Sequence, residues 1–575
     1  MNPTSKKLGV LKIFLFGAVL QMFLYAGPGS SEALAENMFK IGLLHEPKTL
    51  NIWLASDRWS RKVLSQLYQP LYIREPASLN LVPWLAADEP VYDPATLSYT
   101  IKLRPSKWSD GSELTSEDVA FTGRFIKKFK VPKYLSLWEF VKKIETPDKH
   151  TVRFFLKDPK AIFLTRTLTT PIVQKKEWAK VSTSLSNSEK PIEKLSRYPI
   201  DKPVSSGPFV LKEWKLGEYL LLESNNRFFG KGKTIAGKLL GPNIDGIVFK
   251  VFHTSDAAVS ALEKGEIDMF WWGLQQENRE SLQQKQNIQL YTNKRSALYY
   301  LGFNLRKKPF NDINFRQAVA TLIDKDDIIG SVLHGDAFKM DSIVPFGNRF
   351  WYYPGVAKYG EGLSREARVR KAYEILSNAG YTWEMPPLDA DGNLVEGKRI
   401  ILPDGSPMRK VTILTPTADY DSQRFSAGMM IQNWLKMVGI PASSKPMEFG
   451  SLINRVKERH HFDLFVLGYG RLSLDPDYLR SFFHSRNDRP RGWNMSGYKN
   501  PDFDRIADES AGVMDVEKRR ELIWKMQAII MRDVPYLPLY NPRLTEGVRI
   551  DKFTGWVEML DGIGNIWSFC RIRLK

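Results

Sequence analysis

An α/β chain folded as two or more lobes is what this sequence predicts, and three observations predict it. The 575 residues exceed what one hydrophobic core can organise, since single cores stop growing at roughly 250–300 residues. Strand-type and helix-type apolar patterns alternate along the chain from end to end. The segment Phe462-Asp-Leu-Phe-Val-Leu-Gly468 reads as a fully buried strand, the kind found in sheets covered on both faces. The composition, 43% hydrophobic and 26% charged with 39 Gly and 34 Pro, is globular and excludes a disordered or fibrous chain.

The first element is a leader. Lys6, Lys7 and Lys12 precede the apolar run Ile13–Ala26, and Ala33-Leu34-Ala35 follows. A positive start, a short apolar middle and an A-x-A end predict a secretory signal peptide cut after Ala35. The competing reading is an uncleaved anchor, because the run is only slightly short of spanning length. No cysteine stands at the end of the leader, so a lipid-anchored lipoprotein is excluded and a periplasmic location is expected. The one cysteine, Cys570, allows no intrachain disulfide.

Next comes a strand in which Leu97, Tyr99, Ile101 and Leu103 alternate with polar residues. Val152, Phe154 and Leu156 repeat the pattern, as for an antiparallel neighbour. Between them Asp110-Gly111 marks a turn and Thr115, with Asp118 three residues on, caps a helix whose first turn is acidic. A second unit begins at Ser255, with a helix stopped at Gly265 by a left-handed cap and followed by the strand Ile267–Trp272. Arg365 to Ala379 is an amphipathic helix closed by Gly380, and 387–407 an extended hairpin insertion turning at Asp391-Gly392 and Asp404-Gly405. No internal repeat is evident.

The net charge is +19; removing the leader, with three Lys and one Glu, leaves +17. That balance favours acidic solutes, anionic lipid or polyanions, but the basic residues are scattered rather than in the dense runs of a nucleic-acid protein, and no nucleic-acid partner is expected. There is no G-x-S-x-G elbow, Walker loop or H-E-x-x-H motif. His460-His461 reads as a surface pair rather than a metal site, and Asp389-Ala-Asp-Gly392 lacks the later ligands of a calcium loop. No catalytic residue, cofactor or metal follows, and an enzyme is not expected.

Several segments together resemble the bacterial extracellular solute-binding proteins of family 5, which serve peptide and nickel ABC importers. The most specific is Leu97–Val119, containing Trp108-Ser-Asp-Gly-Ser-Glu-Leu-Thr-Ser-Glu-Asp-Val119. Ser206-Gly-Pro-Phe209, Ala261–Asp268, Gly302-Phe-Asn-Leu305, Phe315–Ala320, Gly497–Asp504 and Asp533–Pro538 follow in the family's order. The resemblance implies a two-lobed periplasmic-binding-protein fold (type II, large cluster C-like) with the ligand held between the lobes. Carried onto this chain, lobe one comprises 36–80, 204–295 and 542–575, with 81–203 inserted as a subdomain; lobe two spans 296–541. The hinge is thus crossed twice, which permits closure on ligand.

In peptide-binding members of this family an acid in a G-W-x-x-D-x-x-D/E-P motif holds the ligand's free amino group. Here the segment is Gly468-Tyr-Gly-Arg-Leu-Ser-Leu-Asp-Pro476, with Leu472 where that acid belongs. Either the ligand lacks a free amino terminus, or Asp475 or another acid has taken over. Arg471 points to an anionic ligand group; its competing reading is a solvent-facing local ion pair. The resemblance further places Asp57, Arg58 and Trp59 in a loop facing ligand, and Trp271 and Trp272 at the end of a strand running toward the cleft. Adjacent strand residues face opposite ways, so one indole at most should line the pocket. Tyr469, Trp493, Asn494 and Tyr498 complete the candidates.

The family implies the periplasmic, substrate-binding component of an ABC importer, working as a monomer with inner-membrane permease subunits and capturing a peptide or modified peptide. A second reading is a non-peptide solute such as an oligosaccharide, nickel chelate, opine or other anionic compound. A third, of a different class, is an envelope-retained interaction protein held by its basic surface on anionic lipid or wall polymer.

Overall fold

The computed structural model describes residues 37–200 and 202–575; the leader and its cleavage point lie outside the described residues. Two large mixed sheets organise the chain. The first has seven strands in the spatial order Ile288–Asn293, Leu544–Arg549, Met269–Phe270, Met38–Leu43, Gly246–Val251, Tyr219–Ser224 and Phe209–Lys215. Met38–Leu43 runs parallel to both of its neighbours. The second has six strands, ordered Ala337–Lys339, Tyr536–Pro542, Leu298–Phe303, Leu464–Tyr469, Val411–Pro416 and Ala442–Met447.

The chain passes between the sheets twice. It leaves the first at Asn293 and enters the second at Leu298; it returns with Arg543 alone between strands Tyr536–Pro542 and Leu544–Arg549. The fully buried Asn541 ties the two crossings together, its amide donating to the carbonyls of Arg295 and Ala297 at 2.8 Å each.

The second sheet is covered on both faces, which is why Leu464–Leu467 is continuously apolar: Leu464 and Val466 join one core, Phe465 and Leu467 the other. A four-stranded antiparallel sheet, built from Val91–Asp93, Ser98–Lys102, Thr151–Leu156 and Val141–Asp148, packs into the core of the first lobe. Its central pair has the predicted antiparallel partnership, Tyr99 opposite Phe154. The helix Ser116–Lys128 opens with a capping box of Thr115 and Asp118. Asp118 also accepts the Trp108 indole N–H at 3.2 Å and the Lys175 amide at 2.7 Å, so the Trp108–Asp118 motif fastens a turn, a helix start and a distant segment at once.

The helix Ser255–Lys264 ends as predicted at Gly265, with φ 79°, and Arg365–Asn378 turns out of its helix at Gly380, φ 86°. The hairpin expected over 387–407 starts earlier, with Thr382–Met385 pairing with Lys398–Ile401. The strand predicted over 267–272 is shorter, covering Met269–Phe270. Gly42 still accepts the Trp271 amide at 3.1 Å, but the chain then bends away, and the alternation expected of Trp271 and Trp272 stops with the strand.

The lobes touch directly. Thr165, which follows strand Thr151–Leu156, donates its hydroxyl to the Asp475 carboxylate that follows strand Leu464–Tyr469, Arg279 pairs with Asp336, and the Ala161 amide donates to the Ala511 carbonyl at 3.0 Å.

Candidate ligand-binding site

A cavity of about 500 Å³ lies where the chain crosses between the sheets. Its floor is the helix Arg58–Leu67, whose N-terminus is capped by Asp57 accepting the Ser60 amide at 2.9 Å. Trp59, Val63, Leu64 and Leu67 of that helix face the core, which turns Arg58, Arg61, Lys62 and Ser65 into the cavity. The spacing i, i+3, i+4 puts the three cations on one helical face. Lys133 and Tyr134 enter from the segment after helix Ser116–Lys128, Arg295 from the first crossing, and Gly470, Arg471 and Leu474 from the loop after strand Leu464–Tyr469. The loop from Met559 to Ile566 closes the side.

Trp271 and Trp272 both adjoin this space, but Trp271 belongs to the buried core and Trp272 is the more open of the two. Trp271 is nearly fully buried, against Phe249 and Phe569, with the Lys62 ammonium 3.5 Å from its ring centre. Trp272 stacks on Trp59 at 5.4 Å and lies under the Arg58 guanidinium at 4.7 Å. Gly564 is required beside them, because a Cβ there would come within 1.6 Å of the Trp271 Nε1.

Six cationic side chains border the cavity: Arg58, Arg61, Lys62, Lys133, Arg295 and Arg471. Arg471 is 3.5 Å from Asp561; among the described residues the other five are in no ion pair. Burial lowers the pKa of Arg58, with Arg295 and Arg471 adding to the effect, and lowers that of Arg61 together with Arg471. Burial also pushes Lys62 well below its ordinary range, and Lys133 down to about 8. Of the two carboxyl groups on the cavity wall, Asp561 accepts the Ser296 amide and hydroxyl at 2.9 and 2.6 Å. Glu546 accepts the Ile563 amide at 2.7 Å and is raised to about 7 by burial.

Of the residues singled out in the sequence, Arg58, Trp271, Trp272 and Arg471 meet at this cavity. Asp57 serves as the helix cap, and Trp59 lies in the core behind Trp272. Tyr469 does not border the space: it stacks on Tyr300 and Phe482 inside the second lobe. Asp475 is fully buried and bound by the two terminal guanidinium nitrogens of Arg519 at 2.7 and 2.8 Å, so it is not free to receive a ligand ammonium. Leu472 is also buried, in the second lobe's core. Trp493 lies under Lys457 away from the cavity. Buried Asn494 donates to the carbonyls of His484 and Tyr498, organising its own loop, and Tyr498 donates its hydroxyl to Asp533.

Sequence reasoning missed Arg61, Lys62, Lys133, Arg295, Glu546 and Asp561. The Arg58-x-x-Arg61-Lys62 spacing carried a signal for the first two, since a helix with Trp59, Val63 and Leu64 inward must turn those cations outward. Lys133, Arg295, Glu546 and Asp561 are brought together only by tertiary structure.

A family model described as bacterial extracellular solute-binding proteins, family 5 Middle, matches residues 80–490. The oligopeptide-binding protein AppA of Bacillus subtilis is 28% identical over 511 residues, covering 87% of this chain and 86% of the relative. Its solved structure, in complex with a nonapeptide, aligns with TM-score 0.64 at 24% identity over 93% of this chain and 98% of that one. NikZ from Campylobacter jejuni, solved in complex with Ni(L-His), aligns with TM-score 0.68 at 20% identity, over 94% of this chain and all of that one, 100%. With the two sheets, the double crossing and the cavity between them, these matches show that the chain belongs to the bacterial extracellular solute-binding proteins of family 5.

Proposed function

We propose that this protein is the substrate-binding component of an ABC importer and captures a peptide or modified peptide in the cavity between its lobes. The observation that carries this reading is the placement of that cavity: both lobes and a crossing segment contribute to its wall. A volume of about 500 Å³ falls in the range of small-molecule sites, which suits a short ligand. AppA, described as an oligopeptide-binding protein, supports the ligand class. Residues 296–541 act as the lobe that closes on 36–295 and 542–575. The protein works as a monomer in the periplasm after cleavage behind Ala35, delivers its solute to inner-membrane permease subunits, and performs no reaction on it.

A second reading, a non-peptide solute, is favoured by Leu472 and by the engagement of Asp475 with Arg519. NikZ held Ni(L-His), so the fold accommodates such ligands. Native mass spectrometry of protein purified gently from the periplasm separates the two readings. A ladder of bound peptide masses is expected; a single discrete non-peptide compound would replace the peptide reading with the second.

A further inference from the structure

We infer that the interlobe cavity selects solutes carrying two or more anionic groups, carboxylate or phosphate, over solutes presenting a free ammonium. This rests on the reading of that cavity as the capture site. Its six cations come from four separate parts of the chain: one helix face, the inserted segment, the first crossing and the second lobe. Arg61 and Arg471 are exposed and the other four are half-buried, so the six converge on one partly open cleft instead of being scattered over a surface.

The negative groups present do not offset it. Asp57 caps its own helix, Asp561 is taken up by Ser296 and Arg471, and Glu546 is held by the Ile563 amide. Each wall carboxylate already accepts at least one hydrogen bond, so two partly engaged acids face six basic side chains, and the family's amine-binding position is Leu472, buried in the core.

Closure sharpens the selection. Arg471 belongs to the second lobe, while Arg58 and Arg61 belong to the first, and both feel Arg471 as a like charge. Bringing the lobes together therefore brings cation toward cation. An anion between them converts that repulsion into attraction on both sides, so the closed state gains stability only when such a solute is inside.

The test is calorimetric titration of the wild-type protein, purified from the periplasm and stripped of solute. The panel comprises trialanine with a free amino end, its N-acetyl form, an N-acetyl peptide with two Glu, an N-acetyl phosphoserine peptide, a tricarboxylate and a sugar phosphate. The inference expects the acidic peptides to bind about tenfold or more tighter than either trialanine, with the gap narrowing as salt is raised. The glutamate and phosphoserine arms tell carboxylate from phosphate. The Arg58→Gln/Arg295→Gln variant should lose the preference, and the salt dependence of the unaltered protein checks it without any variant. Equal or tighter binding of free-amino trialanine would overturn the inference and leave the peptide reading standing. Binding of the tricarboxylate or sugar phosphate with no peptide bound would support the anionic preference and overturn the peptide reading. Silence across the whole panel would overturn both.

Discussion

At Asp475 a carboxylate with almost no exposure meets the guanidinium of Arg519 in a two-pronged pair. Burial alone would raise its pKa; Arg519 and Thr165 overcome that and hold it well below the ordinary carboxylate range. Replacing it by Asn leaves Arg519 buried without a counter-charge, at an expected cost of about 3–5 kcal/mol, read as a lowered midpoint in urea. A depressed carboxylate contributes stability that is full above its unfolded pKa, about 3.9, and is lost as pH falls toward the folded value. The Asn variant should therefore lose less stability on acidification than the parent. Glu546 and Lys133 make the opposite kind of prediction, for binding. Glu546, facing Lys62, Asp561 and Arg58, sheds its charge as pH falls through about 7. Lys133, facing Arg61 and Asp57, gains charge as pH falls through about 8. Both changes make the cavity more positive, so affinity for the two-glutamate probe should rise several-fold from about pH 8.5 to about pH 6, where the probe's own carboxylates stay ionised. Titrations at the two pH values check it, and a flat profile would discount both groups.

Among elements, the loop Met559–Ile566 has the least room for change. In Gly564→Ala the new methyl would collide with the Trp271 indole, which is hemmed by Phe249 and Phe569. Overpacking of this kind costs about 1–3 kcal/mol, and the shifted indole should weaken solute binding. Urea unfolding and the tryptophan emission maximum would show the two effects. Nothing in the local pattern of that loop announces its partner, because Gly564 and Trp271 are nearly three hundred residues apart. The frame was far more legible. Phe315–Ala320 and Asp533–Pro538 belong together because Arg316 donates to the Asp533 carbonyl at 2.7 Å, and Gly497–Asp504 joins them through Tyr498 and Asn500 on the Asp533 carboxylate. Ser206-Gly207 is held in place because both amides donate to the Leu67 carbonyl, and a Cβ on Gly207 would strike the Gln66 carbonyl oxygen. These motifs therefore specify how each lobe is held together internally, and they revealed the fold. They say little about the solute, whose surroundings are assembled from residues outside them. Arg58 was visible because the resemblance places Asp57–Trp59 in a loop facing ligand, and Arg471 because it lies within Gly468–Pro476; Lys133 and Arg295 fall in neither. Asp475 was misleading for a physical reason: a carboxylate beside a proline in the right motif looks available until its distant arginine is seen.

For the whole molecule, the lobes are joined by few polar contacts, and Thr165 on Asp475 is the most buried of those described here. Thr165→Val keeps the shape and deletes a hydrogen bond to a charged group, worth about 1.5–3 kcal/mol. If that bond exists only when the lobes are together, the closed form loses this much and Kd rises about ten- to a hundredfold. Small-angle scattering with saturating solute would show whether the variant still closes, and an unchanged Kd would mean the contact persists in the open form. Charge acts at this scale too. The excess of +17 on the chain without its leader raises the local concentration of acidic solutes around the molecule, so association with them should slow as ionic strength rises.

The return of the chain across the hinge has a consequence for how the protein is made. Leu544–Arg549 lies inside the first sheet, between Met269–Phe270 and Ile288–Asn293. A chain emerging from its amino end has already presented those two strands before their shared neighbour exists. The slot between them has two unpaired edges, each a poor place for water-free packing and a ready template for wrong pairing. The first lobe to be synthesised is thus the last to be completed, and it cannot finish folding until the second lobe has been threaded out.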